Sequence, residues 1–66
     1  MEDLYARYMP TAELAQRLGL TGAAIAWRVR QGYLTPAMKA PGIRGAYLFD
    51  RAAMEQLLDE REREAS

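Results

Sequence analysis

The stretch TAELAQRLGLTGAAIAWRVRQGYL, Thr11 to Leu34, constrains this chain more than any other feature. Apolar residues fall at helical spacing on both sides of a glycine, and a second glycine closes the segment. Leu14, Ala15 and Leu18 form one stripe, which predicts a helix from Thr11 or Ala12 to Leu18. Pro10 and Thr11 suit its start, because the first amides need no intrahelical partner and a hydroxyl can accept from one of them. Glu13 sits in the first turn, where the helix dipole favours an anion. Gly19 supplies a left-handed stop, Leu20 fills the corner, and Thr21 caps a second helix over Gly22 to Gln31 that ends at Gly32. At about 100° per residue, Ile25 and Val29 share its inward face and Leu34 follows to cover it. Ala23, Trp27 and Arg30 point the other way, with Arg28 and Gln31 toward the sides.

The remainder of the chain reads as support for this pair. YLTPAMKAPGIRGAYLFD holds two short extended runs, Leu34 to Ala40 and Ala46 to Phe49, separated by PGIRG. A two-stranded hairpin with Arg44 at its tip is expected, one strand kept short by Pro36 and Pro41. Asp50 caps a third helix from Arg51, with Met54, Leu57 and Leu58 at core spacing. The segment after Leu58 alternates in charge and reads as a solvated, fraying helix end. The expected organisation is an N-terminal extension over 1–10, one domain over 11–58 and a charged tail over 59–66.

Size and composition narrow the chemistry. At 66 residues there is little room for both a core and a buried catalytic cleft, and the chain has no histidine and no cysteine. Imidazole bases, thiolate nucleophiles, disulfides and the usual zinc ligands are therefore all missing, and an enzyme, a cofactor or a metal site is not expected. No apolar run approaches the roughly 20 residues of a membrane span, so a cytoplasmic protein without a membrane partner is expected.

The formal net charge is zero, yet its distribution is uneven. From Leu14 to Phe49 there are five cations, Arg17, Arg28, Arg30, Lys39 and Arg44, and no acid. The thirteen residues before carry three acids against one cation, and the seventeen after carry six against three. A basic centre between acidic ends is a workable footprint for a polyanion, because phosphate contacts act within about 10 Å at moderate salt.

With YMPTAELAQRLGLT, IAWRVRQGYL and GIRGAYLFDRAAMEQLL in view, the chain resembles the excisionase-like branch of the MerR winged helix-turn-helix superfamily over about four fifths of its length. The resemblance implies a mainly α fold with a small β-hairpin: three helices plus a two-stranded wing. It implies a glutamate-bearing first helix that braces a second helix in the major groove of double-stranded DNA, while the wing touches backbone or minor groove. It further implies an accessory factor of a phage or mobile element, most often an excisionase that bends DNA and biases an integrase. Small transcriptional regulators and the DNA-binding part of terminase small subunits share the domain, and a protein-interaction module on the same fold is the competing class. An integrase, or further copies of the chain on DNA, are the implied protein partners.

Three features depart from the family pattern. Gly22 and Ala23 stand where a polar pair is common, Trp27 lies one residue before the usual aromatic position, which Arg28 occupies, and the wing carries only Lys39 and Arg44. Base readout by side chains then falls mainly to Arg30, whose planar fork suits guanine or phosphate. The expected DNA-binding set is Arg17, Thr21, Gly22, Ala23, Trp27, Arg28, Arg30, Lys39 and Arg44, with Arg17 and Lys39 limited to phosphate. Trp27 has a competing role as a core residue folded over the hairpin or the N-terminal tyrosines, which is the preferred expectation. Arg28 is equally suited to pairing with a carboxylate of the third helix.

Overall fold

The computed structural model describes residues 3–39 and 47–65. Its elements are α1 (Leu4–Arg7), β1 (Tyr8–Pro10), α2 (Thr11–Leu18), α3 (Gly22–Arg30), β2 (Met38–Lys39), β3 (Tyr47–Asp50) and α4 (Arg51–Ala65). The described residues thus form four helices and a three-stranded antiparallel sheet ordered β1-β3-β2, instead of three helices and a two-stranded hairpin. The difference comes from residues 4–10, which are not an extension. Asp3 caps α1 by accepting from the Tyr5 amide, and β1 pairs along β3 with Met9 opposite Phe49. Both of those side chains are 0% exposed, so the first strand closes the core. Pro10 is tolerated because β1 lies at the sheet edge, where a missing amide breaks no second ladder.

The central strand is covered on both faces. Phe49 belongs to the core with Met9, Leu14, Ala15, Ile25, Leu34 and Leu58, while the adjacent Leu48 is also fully buried. Leu18, Leu20, Val29, Tyr47, Met54 and Leu57 pack around that cluster. β2 is shorter than the extended run expected from Leu34: it pairs with β3 only through Met38 and Lys39.

The two glycines act as expected, and by one device. Gly19 has φ 71°, and the Leu20 amide donates to Ala15 O at 2.8 Å while the Gly19 amide donates to Gln16 O. Gly32 has φ 84°, with the Tyr33 amide on Arg28 O at 2.9 Å and the Gly32 amide on Val29 O. Each pattern satisfies the orphan carbonyls of a helix end through a left-handed residue, which glycine adopts without a Cβ penalty. Thr21 caps α3 through the Ala24 amide, and Asp50 caps α4 through the Ala53 amide. Thr11 departs from its expected role. Its hydroxyl leaves α2 uncapped and reaches across to β3, accepting from the Tyr47 amide and donating to the Tyr47 carbonyl, both at 2.9 Å. A side chain thereby continues the ladder one step past Pro10. The segment after Leu58 is helical and exposed, as expected of a solvated helix end, with α4 running through Ala65.

Charge pairing locks α2 to α4. The Arg51 guanidinium donates to both Glu13 oxygens, at 2.6 and 2.9 Å, and to the Tyr5 carbonyl. Arg17 donates to Glu55 at 2.7 Å. Glu13 therefore braces the last helix, not α3. The Arg51 hydrogen bond holds the Glu13 carboxyl below its ordinary value near 4.5, and the Arg17 hydrogen bond does the same for Glu55.

Two outcomes follow. Thr11→Val leaves the Tyr47 amide and carbonyl unmatched and should cost about 1–3 kcal/mol in denaturant melts. The lowered carboxylates contribute stability that is present above about pH 4.5 and is lost as pH falls through their folded values. The melting temperature should drop in that acid window, and Glu13→Gln should flatten the drop; an unchanged acid profile would exclude this linkage.

Candidate nucleic-acid interface

α3 presents its outward face as its periodicity dictates. Ile25 is buried and Val29 half-buried, whereas Ala23, Trp27, Arg30 and Gln31 are exposed. Trp27 is 47% exposed and does not complete the core, contrary to the preferred expectation. The core is built without it, from Met9, Leu14, Ala15, Ile25, Leu34, Phe49 and Leu58. Its ring meets Tyr33 instead, with centroids 5.8 Å apart and planes inclined by 32°. Tyr33, 72% exposed, did not figure among the expected site residues. The signal was present in the sequence: a left-handed Gly32 turns the chain back at the end of the helix, and the next side chain falls beside the helix it has just left.

Gly22 is a helical residue with ordinary backbone, and a Cβ placed there meets nothing within 4 Å. Internal packing therefore does not require a glycine at this position. With Ala23 exposed beside it, the start of α3 is a smooth surface that another molecule can approach to backbone distance.

The cations divide into two groups. Arg17, expected to contact phosphate, is engaged with Glu13 and Glu55, as is Arg51. Arg28 does not pair with a carboxylate of α4; it folds back on its own helix and donates to Ala24 O at 3.4 Å. Arg30, on α3, and Lys39, on the edge strand β2, are exposed and have no ion-pair partner among the described residues. Arg44 lies outside the described residues. Glu13 of α2 and Glu55 of α4 pair with Arg17 and Arg51, Asp59 of α4 pairs with Arg63 on its own helix, and α3 itself carries no carboxylate.

The described residues contain no cluster of acids fit to hold a metal ion, and no helix long and apolar enough to cross a membrane. Comparison with protein-family profiles, characterised proteins and solved structures finds no match to the chain.

Since Gly22 meets nothing, Gly22→Ala should keep the fold and raise stability by about 0.4–1 kcal/mol through the unfolded state. Gly22→Leu should also fold. A marked loss of stability in either variant, measured by thermal melts, would show an internal need for glycine.

Proposed function

We propose that the chain is a winged helix-turn-helix module that binds double-stranded DNA without a cofactor, with α3 in the major groove and the β2–β3 region as the wing. The observation that carries this reading is the separation of charge. Among the described residues Arg30 and Lys39 are exposed and have no ion-pair partner, while Arg17 and Arg51 are engaged in holding α2 to α4. A polyanion gains from unpaired cations because each phosphate neutralised releases counterions. Thr21, Gly22 and Ala23 put the start of α3 against the backbone, where amide hydrogens and the helix dipole attract phosphate. Arg30 supplies a bidentate base or phosphate contact, and Arg28, held to its own helix, is left with a minor part. Arg44 joins the wing by its place in PGIRG, between the two extended runs of the sequence, and by the resemblance.

The role proposed for the module is that of a phage or mobile-element accessory factor of the excisionase type, bending DNA beside an integrase. That step rests on the resemblance in TAELAQRLGLT and IAWRVRQGYL. An integrase gene beside this one supports it; a terminase or a regulated operon there would move the role to packaging or transcription.

A second reading, a protein-interaction module, has one observation in its favour. Tyr33 and Leu34 line an apolar groove with Met54 and Leu57 of α4, bordered by Glu60. The two readings separate in a binding titration with mixed-sequence duplex DNA at low and moderate salt. Salt-sensitive binding is expected, and its absence at low salt would favour the protein module. Arg30→Ala should weaken binding by about 1–3 kcal/mol and relax preference at one base pair. Lys39→Ala should weaken all sequences alike and make the salt slope shallower by about one unit. An Arg30→Ala protein with undiminished affinity and preference would overturn the proposed groove orientation.

A further inference from the structure

The outward face of α3 lacks hydrogen-bonding side chains where base contacts are expected, yet it is not featureless. Ala23, Trp27 and Arg30 follow one another along it at spacings of four and three, so they lie on one side of the helix over two turns. Gly22 and Ala23 provide a bare approach, Trp27 a broad apolar plate, and Arg30 the lone charged fork. Trp27 is also braced on one side: Tyr33 stands 5.8 Å away, ring to ring, and the Gly32 turn that delivers Tyr33 is closed by the Tyr33 amide on Arg28 O. A plate held in this way loses little rotamer freedom when a ligand covers it.

The major groove offers one apolar group, the C5-methyl of thymine; the rest of its base edges are hydrogen-bond donors and acceptors. Resting on the DNA reading above, we propose that Trp27, held by Tyr33, is a specificity residue that packs on thymine methyl groups, so that the module prefers thymine-bearing steps next to the base contacted by Arg30. A protein partner for the same plate need not engage Arg30, exposed on a helix that carries no acid, whereas DNA employs both the plate and the cation. Burying one methyl against the ring corresponds to about a fourfold gain in affinity.

The test compares an alternating dA–dT duplex with the same duplex carrying deoxyuridine for thymidine, which removes only the methyl. Trp27 is the single tryptophan of the chain, so its fluorescence reports contact directly. The wild type should bind the thymidine duplex roughly fourfold or more tightly, with a change in tryptophan emission. Trp27→Ala should stay folded by circular dichroism, because the side chain is half exposed, retain salt-dependent binding, and lose the discrimination. Tyr33→Ala should keep the tryptophan but blunt the difference. An alternating dG–dC duplex should gain affinity when its cytosines carry a 5-methyl group. Equal, salt-dependent affinity of the wild type for both dA–dT duplexes overturns the methyl contact while leaving DNA binding intact. Discrimination that persists in Trp27→Ala overturns the assignment to this residue. Failure to bind any of the duplexes at low salt overturns both readings together.

Discussion

The bidentate pair between Arg51 and Glu13 holds the rest of this small protein in register. Arg51 is the first residue of α4 and follows the central strand directly, so its backbone is set by β3. From there its guanidinium takes Glu13 of α2 and the Tyr5 carbonyl of α1, with Arg17 and Glu55 completing the seam between α2 and α4. An arginine fork matched to both oxygens of a carboxylate fixes orientation as well as distance, which a single point charge cannot do. The pair is partly exposed, so its value lies in geometry and is screened by salt. The apolar core of seven buried residues provides the cohesion. The ion pairs decide how α2 sits, and α2, through the Gly19 corner, decides how α3 is presented.

That corner shows what the sequence conveyed well. Gly19, Thr21 and Gly32 punctuate the chain by local chemistry, a left-handed residue or a hydroxyl cap, and local chemistry is visible in a single sequence. The same holds for the boundaries of α2 and the cap of α4. What stayed hidden was set across the chain. Tyr8, Met9 and Pro10 are too few to show a strand period, and they become β1 only because Phe49 needs a partner opposite Met9. Thr11 looked like a cap because it precedes a helix, but the tertiary claim of the Tyr47 amide and carbonyl outweighed the local one.

The arginines make the same point about the candidate site. By sequence, Arg17 and Arg30 were both cations in an acid-free stretch, assigned to phosphate and to base readout, with Glu13 four residues before Arg17 the one local sign of an ion pair. Their difference lies in residue 55, far along the chain, whose carboxylate reaches Arg17 and leaves Arg30 alone. Trp27 was misjudged for a related reason. Tryptophan is usually well buried, but here the core is built from other residues, Met9, Leu34 and Phe49 among them, and Trp27 pairs with Tyr33 at the surface. The outward face of α3 was legible from its period, and the turn that sets Tyr33 beside Trp27 was legible from Gly32.

The central claim is that α3 and its unpaired cations, not the charged seam of α2 and α4, form the working surface. Amide and indole resonances of isotope-labelled protein, followed by NMR during titration with a short duplex at low salt, test it most directly. The account predicts shifts concentrated at Gly22, Ala23, the Trp27 indole, Arg30 and Lys39, with Arg17, Glu55 and the second half of α4 unmoved. Shifts confined to Tyr33, Met54 and Leu57, or to the seam itself, would contradict it.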